Sequence, residues 1–178
     1  MLFRSQITND IAMALRTPTA EAEAIKTRHG VALRQLADPN EMIAVPGIGD
    51  RAPRVMSRQT LAEVIEPRVE ELFSLVQQVM RASGCEELLS SGSVLTGGSS
   101  VLRGMTELGE EVFHMPVRIG VPRYSGGLAG VVRNPRYATA MGLLLEGMAQ
   151  LQQGRVSRQN GSYRAAFGRM RDWFQRNF

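Results

Sequence analysis

The stretch Ser93-Val94-Leu95-Thr96-Gly97-Gly98-Ser99-Ser100 decides the fold, because an apolar run there enters a pair of glycines. The apolar residues predict a short strand, the glycines predict a turn, and residues 105–113 beyond them predict a helix. Glycine has no Cβ, so its backbone can approach a flat ring or a ribose closely, and a following helix offers free N–H donors. Most Gly-Gly turns are ordinary turns, so the meaning of this one depends on its surroundings.

Two helices are predicted near the N-terminus. Residues 7–15 have the pattern of a short helix or a turn. Residues 17–30 predict a more regular helix, in which Thr17 caps the first turn and Gly30 supplies a left-handed residue at the end. Acidic residues in its first turn favour this assignment, because the helix dipole stabilises negative charge there.

A small antiparallel ribbon and a long helix are predicted between these helices and the glycine turn. The strand-like runs are residues 31–36, 42–45 and 54–56, and turn-forming segments rich in proline and glycine separate them. A stripe of apolar residues at helical spacing then predicts a helix at residues 57–83. Pro67 lies inside that stripe and predicts a kink or a division into two helices.

Three further segments are predicted beyond the glycine turn. Residues 117–121 have the composition of a strand. Residues 137–151 are rich in alanine, glycine and leucine, and we expect them to form a well-buried helix. Residues 152–162 are polar and rich in glycine, serine and glutamine, which predicts a flexible linker.

The composition limits the kind of protein that this chain can be. Its 178 residues, 43% of them hydrophobic, suffice for one ordinary domain or for one domain with a small satellite. No stretch approaches the roughly 18 consecutive apolar residues of a transmembrane helix. Cys85 is the only cysteine, which excludes an internal disulfide and a multi-cysteine metal site and fits a reducing, cytoplasmic setting. The isolated His29 and His114 do not predict a metal site.

Positive charge is concentrated at the C-terminal end of the sequence. Residues 155–178 hold six arginines and one aspartate, a net charge of +5, whereas all other residues together carry a net charge of −1. A domain that binds nucleic acid usually spreads basic residues over a folded face, so this distribution argues against nucleic acid as a partner. It predicts an anionic partner for the terminal segment alone.

The C-terminal segment, residues 163–178, has the pattern of an amphipathic helix that lies on a membrane surface. At about 100° per residue, its large apolar side chains fall within an arc of roughly 140°, bordered by arginines on both sides. A terminal helix docked on its own domain, or in the groove of a partner protein, is the alternative. The apolar arc contains Tyr163, Ala166, Phe167, Met170, Trp173, Phe174 and Phe178, and its borders are Arg164, Arg169, Arg171 and Arg176.

The glycine turn and its surroundings resemble a known family. The strand, the turn and the residues up to 105 resemble the adenosine motif of the actin/Hsp70/sugar-kinase superfamily. Within that superfamily, four further parts of the sequence resemble the FtsA family of bacterial cell-division proteins, and the C-terminal segment resembles that family's membrane-targeting sequence. These parts are residues 7–12 with 17–26, residues 57–68, residues 112–120 and residues 134–144.

The resemblance implies an α/β chain with a partial actin-like (ribonuclease H-like) fold. It implies that the chain corresponds to the C-terminal portion of the family, with subdomains 2A and 2B and a terminal amphipathic helix. The implied division is 1–30 for the first part of subdomain 2A, 31–90 for subdomain 2B, 91–151 for the rest of subdomain 2A with a return helix, 152–162 for a flexible linker and 163–178 for the membrane-targeting helix.

The resemblance also implies a nucleotide. The family binds ATP with Mg²⁺, and Gly97, Gly98 and Ser99 would contact its adenine and ribose. Gln59 and Glu63 lie where the superfamily's 2B helix faces the base. We find no counterpart of the family's two phosphate loops in this sequence, so we expect no hydrolysis by the chain and no enzymatic role.

Partner binding is the third implication of the resemblance. In the family, subdomain 2B receives the acidic and apolar C-terminal peptide of FtsZ, and Arg54, Arg58 and Arg68 would bind its carboxylates. A solvated face on which the arginines pair with neighbouring glutamates is the alternative for these residues. Anionic inner-membrane lipid, further copies of the protein and later division proteins are the other implied partners, at the cytoplasmic face of the inner membrane and at the septum.

Two other functions remain open at the level of the sequence. The chain could be the nucleotide-binding half of another actin-superfamily ATPase, of the pilus-assembly or chaperone-like kind, and would then ignore the FtsZ peptide. It could also be an enzyme whose Gly-Gly loop holds a nucleotide substrate, and the isolated chain would then turn that nucleotide over.

Overall fold

A computed structural model describes residues 2–49, 51–84, 89, 91–123 and 129–152. The predicted amphipathic helix, and the predicted linker apart from Gln152, lie outside the described residues. None of the helices in the described part is long and apolar enough to cross a membrane.

The first part of the chain is mainly helical. It contains helices α1 (Leu2–Leu15) and α2 (Thr19–His29), a hairpin of strands β1 (Met42–Val45) and β2 (Arg54–Ser57), and helix α3 (Arg58–Ala82). The hairpin strands pair in antiparallel fashion, which confirms the predicted ribbon for the runs at 42–45 and 54–56.

The second part contains shorter elements. Strand β3 (Ser93–Leu95) is followed by helix α4 (Met105–Phe113), strand β4 (Val117–Ile119), the short helix α5 (Ala129–Val132) and helix α6 (Ala138–Gln152). Strands β3 and β4 pair in parallel, with Val94 opposite Arg118. A mixed α/β architecture is therefore present, as predicted.

Helices α1 and α3 form the centre of the hydrophobic core. Ile7, Ile11 and Leu15 recur every four residues on one face of α1, and all three are buried. On α3, Leu61 and Ile65 are completely buried one turn apart, and α1 packs on this face. The side chain of Ser57 accepts a hydrogen bond from the amide of Thr60, which is the N-cap that the sequence of a helix start favours.

A buried polar cluster joins α1 to α2. The ammonium group of Lys26 donates to the hydroxyl of Thr8 at 2.7 Å and to the carboxylate of Glu23 at 2.5 Å. The hydroxyl of Thr8 in turn donates to the same carboxylate. Because all three groups are paired with one another, the only lysine of the sequence can lie in the core at 7% exposure.

Two details of the predicted helix at residues 17–30 are wrong. Thr17 does not cap it: Pro18 occupies the N-cap position, and the buried hydroxyl of Thr17 has no partner among the described residues. Gly30 is extended, with φ −60° and ψ 136°, and is not left-handed. Its lack of a side chain serves packing, because a Cβ there would lie 2.3 Å from the carbonyl oxygen of Lys26 and 2.8 Å from Leu102.

The predicted strand at residues 31–36 is also wrong. Val31 forms only an isolated bridge with Arg103, and Arg34–Leu36 is a single 3₁₀ turn. Residues 31–36 lie between α3 and the loop that precedes α4. They hydrogen-bond to both of these neighbours and form no continuous strand. By contrast, the long helix at 57–83 is confirmed to within one residue at each end, and Pro67 does not divide it.

Helix α6 differs most from the expectation. We expected it to be well buried, but none of its residues is buried. Leu143 is 70% exposed, and Leu144, Leu145, Met148 and Leu151 are each more than half exposed. Apolar composition predicts burial only where another element covers the helix, and the described residues provide no such cover.

Candidate functional site

The glycine turn has the backbone geometry that only glycine adopts readily. Gly97 follows β3 with φ 92° and ψ 173°, a conformation that disfavours any side chain. Its amide donates to the carbonyl oxygen of Pro135 at 3.1 Å, and its carbonyl oxygen accepts from the hydroxyl of Ser100 at 2.8 Å. The first bond holds the turn against the segment before α6, and the second lies within the turn.

The predicted order of strand, turn and helix is confirmed with one insertion. Gly98–Val101 forms a 3₁₀ turn, and α4 begins only at Met105. The first amides of α4 are therefore separated in sequence from the glycine pair.

The turn offers an open surface to a flat group. A Cβ built at Gly97 would meet no atom within 4 Å, and one at Gly98 would meet only the Cβ of Arg136, at 3.9 Å. Ser99 is half-buried beside them. Two consecutive glycines thus present backbone with open space in front of it, which leaves room for a flat group.

Gln59 and Glu63 lie one turn apart near the start of α3. The carboxylate of Glu63 is 3.4 Å from the guanidinium of Arg34, whose backbone amide donates to Glu66 at 2.8 Å. Two residues before Arg34, the amide of Ala32 donates to the carbonyl oxygen of Arg103 at 2.7 Å, in the loop that follows the glycine turn. The segment 31–36 therefore contacts both α3 and the loop that follows the glycine turn.

The described residues were also compared with the donor sets that metal ions require. The described part of the chain contains no group of three or more histidine, cysteine, aspartate or glutamate residues that could hold a metal ion.

Two of the predicted partner-binding arginines connect elements within the chain. A guanidinium nitrogen of Arg54 donates to the carbonyl oxygen of Leu15, at the end of α1. Arg58 donates to the carbonyl oxygen of His29 at 2.9 Å and forms an ion pair with Glu41 at 2.6 Å. Both side chains attach the hairpin and the start of α3 to the two N-terminal helices.

The third arginine, Arg68, lies between two carboxylates. It contacts both oxygens of Asp10, with Nε at 2.5 Å and Nη2 at 3.3 Å, and its Nη1 is 2.5 Å from Glu71. The hydrogen bond and the charge of Asp10, followed by the charge of Glu71, raise the pKa of Arg68 above its usual range. The predicted pairing with neighbouring glutamates is thus present for Glu71, while Asp10, which lies 58 residues away in sequence, gave no local signal.

The groove between α1 and the hairpin loop was not predicted from the sequence. It is a cavity of about 460 Å³ lined by Ala12, Met13, Arg16, Ile48 and Arg51. A smaller cavity of about 250 Å³ lies beside Arg68. The two groove-lining segments are more than 30 residues apart in sequence and only meet in the folded chain, so no sequence pattern marks them.

The sequence matches a family and several relatives. The family described as "FtsA: Cell division protein FtsA" matches residues 4–142. "Cell division protein FtsA" of Pseudomonas aeruginosa is 52% identical over 97% of this chain and 43% of its own length. The protein of the same name from Escherichia coli is 41% identical over the same shares, and that from Bacillus subtilis is 38% identical over 78% of this chain. The chain spans less than half the length of these curated relatives.

Two solved structures share the fold. The crystal structure of MreB 5 of Spiroplasma citri bound to AMPPNP superimposes with a TM-score of 0.61 and 14% identity, over 89% of this chain and 46% of that one. The structure of MreB5 bound to ADP gives a TM-score of 0.52 and 17% identity, over 80% of this chain and 46% of that one. The fold is therefore a partial actin-like fold, and by sequence the chain belongs to the FtsA family of cell-division proteins.

Proposed function

We propose that the chain is a non-enzymatic scaffold of cell division that connects FtsZ to the cytoplasmic face of the inner membrane. One observation carries the proposal: a nearly neutral body that matches the FtsA family up to residue 142 is followed by a separate cationic and aromatic segment. The body would bind the division partner and the segment would bind lipid. Self-association and contacts with later division proteins at the septum belong to the same proposal.

The free-energy contributions expected from the C-terminal segment support membrane binding. A helix of 16 residues is marginal alone in water, so ordering it requires a surface. Each arginine near anionic lipid contributes about 1 kcal/mol, as four of them would here. Each large apolar side chain, such as Trp173 or Phe174, contributes up to roughly 1.5–3 kcal/mol when fully buried and less at an interface. Together these terms can offset the cost of ordering.

The geometry of one arginine supports binding of an acidic peptide. Arg68 already binds the carboxylate of Asp10 through two nitrogens, which is the geometry that a peptide carboxylate would use. A peptide at Arg68 would therefore have to displace Asp10, whereas Arg54 and Arg58 would have to release backbone carbonyl groups. The resemblance to the family gives the occupant as the C-terminal peptide of FtsZ.

Nucleotide binding is proposed for the longer members of the family, with ATP and Mg²⁺. The open backbone at Gly97 and Gly98 supports a role in contacting the adenosine, and the MreB5 structures with the same fold hold AMPPNP and ADP. This sequence lacks counterparts of the phosphate loops, so we propose no ATP hydrolysis by the chain.

The test is recruitment of FtsZ to vesicles. Vesicles of phosphatidylethanolamine and phosphatidylglycerol are sedimented with FtsZ and either the full chain or the chain without residues 163–178. We expect FtsZ in the pellet only with the full chain, and loss of recruitment at high salt because the arginine contribution is screened. Sedimentation of the shortened chain with the vesicles, or of FtsZ without the chain, would contradict the proposal.

A further inference from the structure

Residues 31–36 form a strap between helix α3 and the loop that follows the glycine turn. The first half of the strap belongs to the core, since Val31 and Ala32 are completely buried and Leu33 is 5% exposed. Buried backbone groups need partners inside the protein, because water does not reach them. The position of the strap therefore depends on its bonds to the two neighbours.

On one side, the strap is in direct backbone contact with the loop. The amide of Ala32 donates to the carbonyl oxygen of Arg103 at 2.7 Å, and Val31 forms a parallel bridge with the same arginine. Gly104 approaches the strap so closely that a Cβ there would lie 2.9 Å from the backbone nitrogen of Leu33. The loop therefore cannot move towards the strap without displacing it.

Further contacts continue from this loop to the glycine turn. The amide of Leu102 donates to the carbonyl oxygen of Ser99 at 3.2 Å, and the hydroxyl of Ser100 donates to that of Gly97 at 2.8 Å. The side chain of Leu102 also packs against Gly30, where a Cβ would lie 2.8 Å from it. A displacement of the glycine turn thus reaches the strap through contacts between neighbouring residues.

On the other side, two carboxylates one turn apart attach the strap to α3. The amide of Arg34 donates to the carboxylate of Glu66 at 2.8 Å, and its guanidinium lies 3.4 Å from the carboxylate of Glu63. Arg34 is the first residue of a 3₁₀ turn, so Glu66 satisfies an amide that the turn itself leaves unbonded. The ion pair with Glu63 is about half exposed and contributes little. Glu66 is thus the main polar attachment, beside the apolar contact of Val31 with Ala62.

We infer that the strap couples the glycine turn to α3, and that Glu66 is the residue that positions the strap on the helix. An element bonded on both sides cannot follow one neighbour without breaking its bonds to the other, so a change at either end acts on the opposite end. The coupling is a property of the chain and needs no ligand. Under the proposed function, a group bound at Gly97 would also act on α3, which carries Arg58 and Arg68. That consequence rests on the proposed function, whereas the coupling does not.

Amide hydrogen exchange of the isotope-labelled full chain, followed by NMR, tests the coupling. The wild type is compared with Glu66→Ala and with Glu66→Gln, which keeps a neutral acceptor. The matched control is Glu70→Ala. Glu70 is an exposed carboxylate one turn further along α3, so the change in net charge is the same as in Glu66→Ala.

Three amides report on the path of the coupling and one on the whole fold. Those of Arg34, Ala32 and Leu102 lie along the path, and that of Ile11 lies in the buried part of α1. In Glu66→Ala we expect exchange at Arg34 to become at least about tenfold faster, because a charged acceptor is lost, and exchange at Ala32 and Leu102 at least about threefold faster. Exchange at Ile11 should change by less than about twofold. The glutamine variant should be intermediate, and the control should match the wild type.

Coupling is reciprocal, so a change in the loop must also be detectable at α3. Leu102→Ala removes the side chain that packs against Gly30 and should accelerate exchange at Arg34 by at least about threefold. Val101→Ala, at the half-exposed neighbouring position, is the control and should leave exchange at Arg34 unchanged.

Two outcomes would overturn the inference. If faster exchange in the Glu66 variants is confined to Arg34, the carboxylate caps one amide and couples nothing. If all amides exchange faster by the same factor, with Ile11 among them, Glu66 stabilises the fold as a whole and positions no particular segment. Neither outcome changes the recruitment of FtsZ to vesicles, so a failure of the coupling is distinguishable from a failure of the proposed function.

Discussion

Helices α3 and α6 are both rich in apolar residues, but they differ in how far those residues are buried. On α3, Leu61, Ile65 and Val69 are completely buried. On α6, Leu143 is 70% exposed and Leu144 is 60% exposed. The mean apolar content is not the cause of this difference, because α6 is the more apolar of the two.

The difference lies in what surrounds each helix. Helix α3 is covered by α1, the hairpin and α4, whereas α6 packs mainly on the short turn Pro135–Tyr137 that precedes it. Strands β3 and β4 show the same feature, since they form a two-stranded parallel pair in which Val94 is half exposed. Parallel sheets are normally covered on both faces. An apolar pattern therefore identifies a surface that packs against another element. The fold determines whether the chain itself provides that element.

The largest expected effect concerns the core of α3. Ile65→Ala removes a completely buried side chain and leaves a cavity between α1 and α3. We expect the free energy of unfolding to fall by about 2–5 kcal/mol, as in other deletions of buried aliphatic groups. Urea unfolding followed by circular dichroism measures the change.

Leu144→Ala is the matched control on α6. The same kind of truncation at an exposed position should change the free energy of unfolding by no more than about 0.5 kcal/mol. Equal losses in the two variants would contradict the contrast between the two helices, because they would require α6 to be packed as tightly as α3.

Two glycine substitutions extend the comparison to the backbone, and we expect changes in the free energy of unfolding of intermediate size. Gly104 has φ 87°, and a Cβ there would lie 2.9 Å from the backbone nitrogen of Leu33. We expect Gly104→Ala to lower the free energy of unfolding by about 1–3 kcal/mol through strain and overlap. Gly142, within α6, has no atom near the position of a Cβ, so Gly142→Ala should raise helix stability by about 0.5–1 kcal/mol. Thermal unfolding of both variants checks the opposite signs.

The smallest expected effect is electrostatic and concerns the start of α4. A hydrogen bond from the hydroxyl of Thr106, then the backbone amide of Glu107 and the charge of Arg103, lower the pKa of Glu107 below its usual range. A pKa lowered by folding contributes stability above the ordinary glutamate range, and this stability is lost as the pH falls through the folded-state pKa. Thr106→Val should therefore raise the pKa of Glu107 and reduce stability slightly at neutral pH.

An NMR titration of the Glu107 side chain measures this shift directly. Thr106→Ser keeps the hydroxyl and is the control, so its pKa should stay close to that of the wild type. A pKa that is unchanged in Thr106→Val would show that the hydroxyl is not the main cause.

The sequence by itself determined the order of most of the elements and the family. The apolar stripe of α3, the hairpin strands and the strand before Gly97 depend on local spacing and on residue type, which act over a few neighbouring residues. The positions of Gly97 and Gly98 in the turn were predictable for the same reason. The division into subdomains and the role of the C-terminal segment stay predictions.

Only the tertiary structure decided what each side chain contacts. The pairing of Arg68 with Asp10, the burial of Lys26, the 3₁₀ turn at Arg34–Leu36 and the groove beside Arg16 all depend on segments that are distant in sequence. Such contacts arise when packing brings surfaces together, and no local pattern encodes which surfaces will meet. The exposure of α6 follows from the same cause, because burial is a property of two surfaces and the sequence of a helix specifies only one.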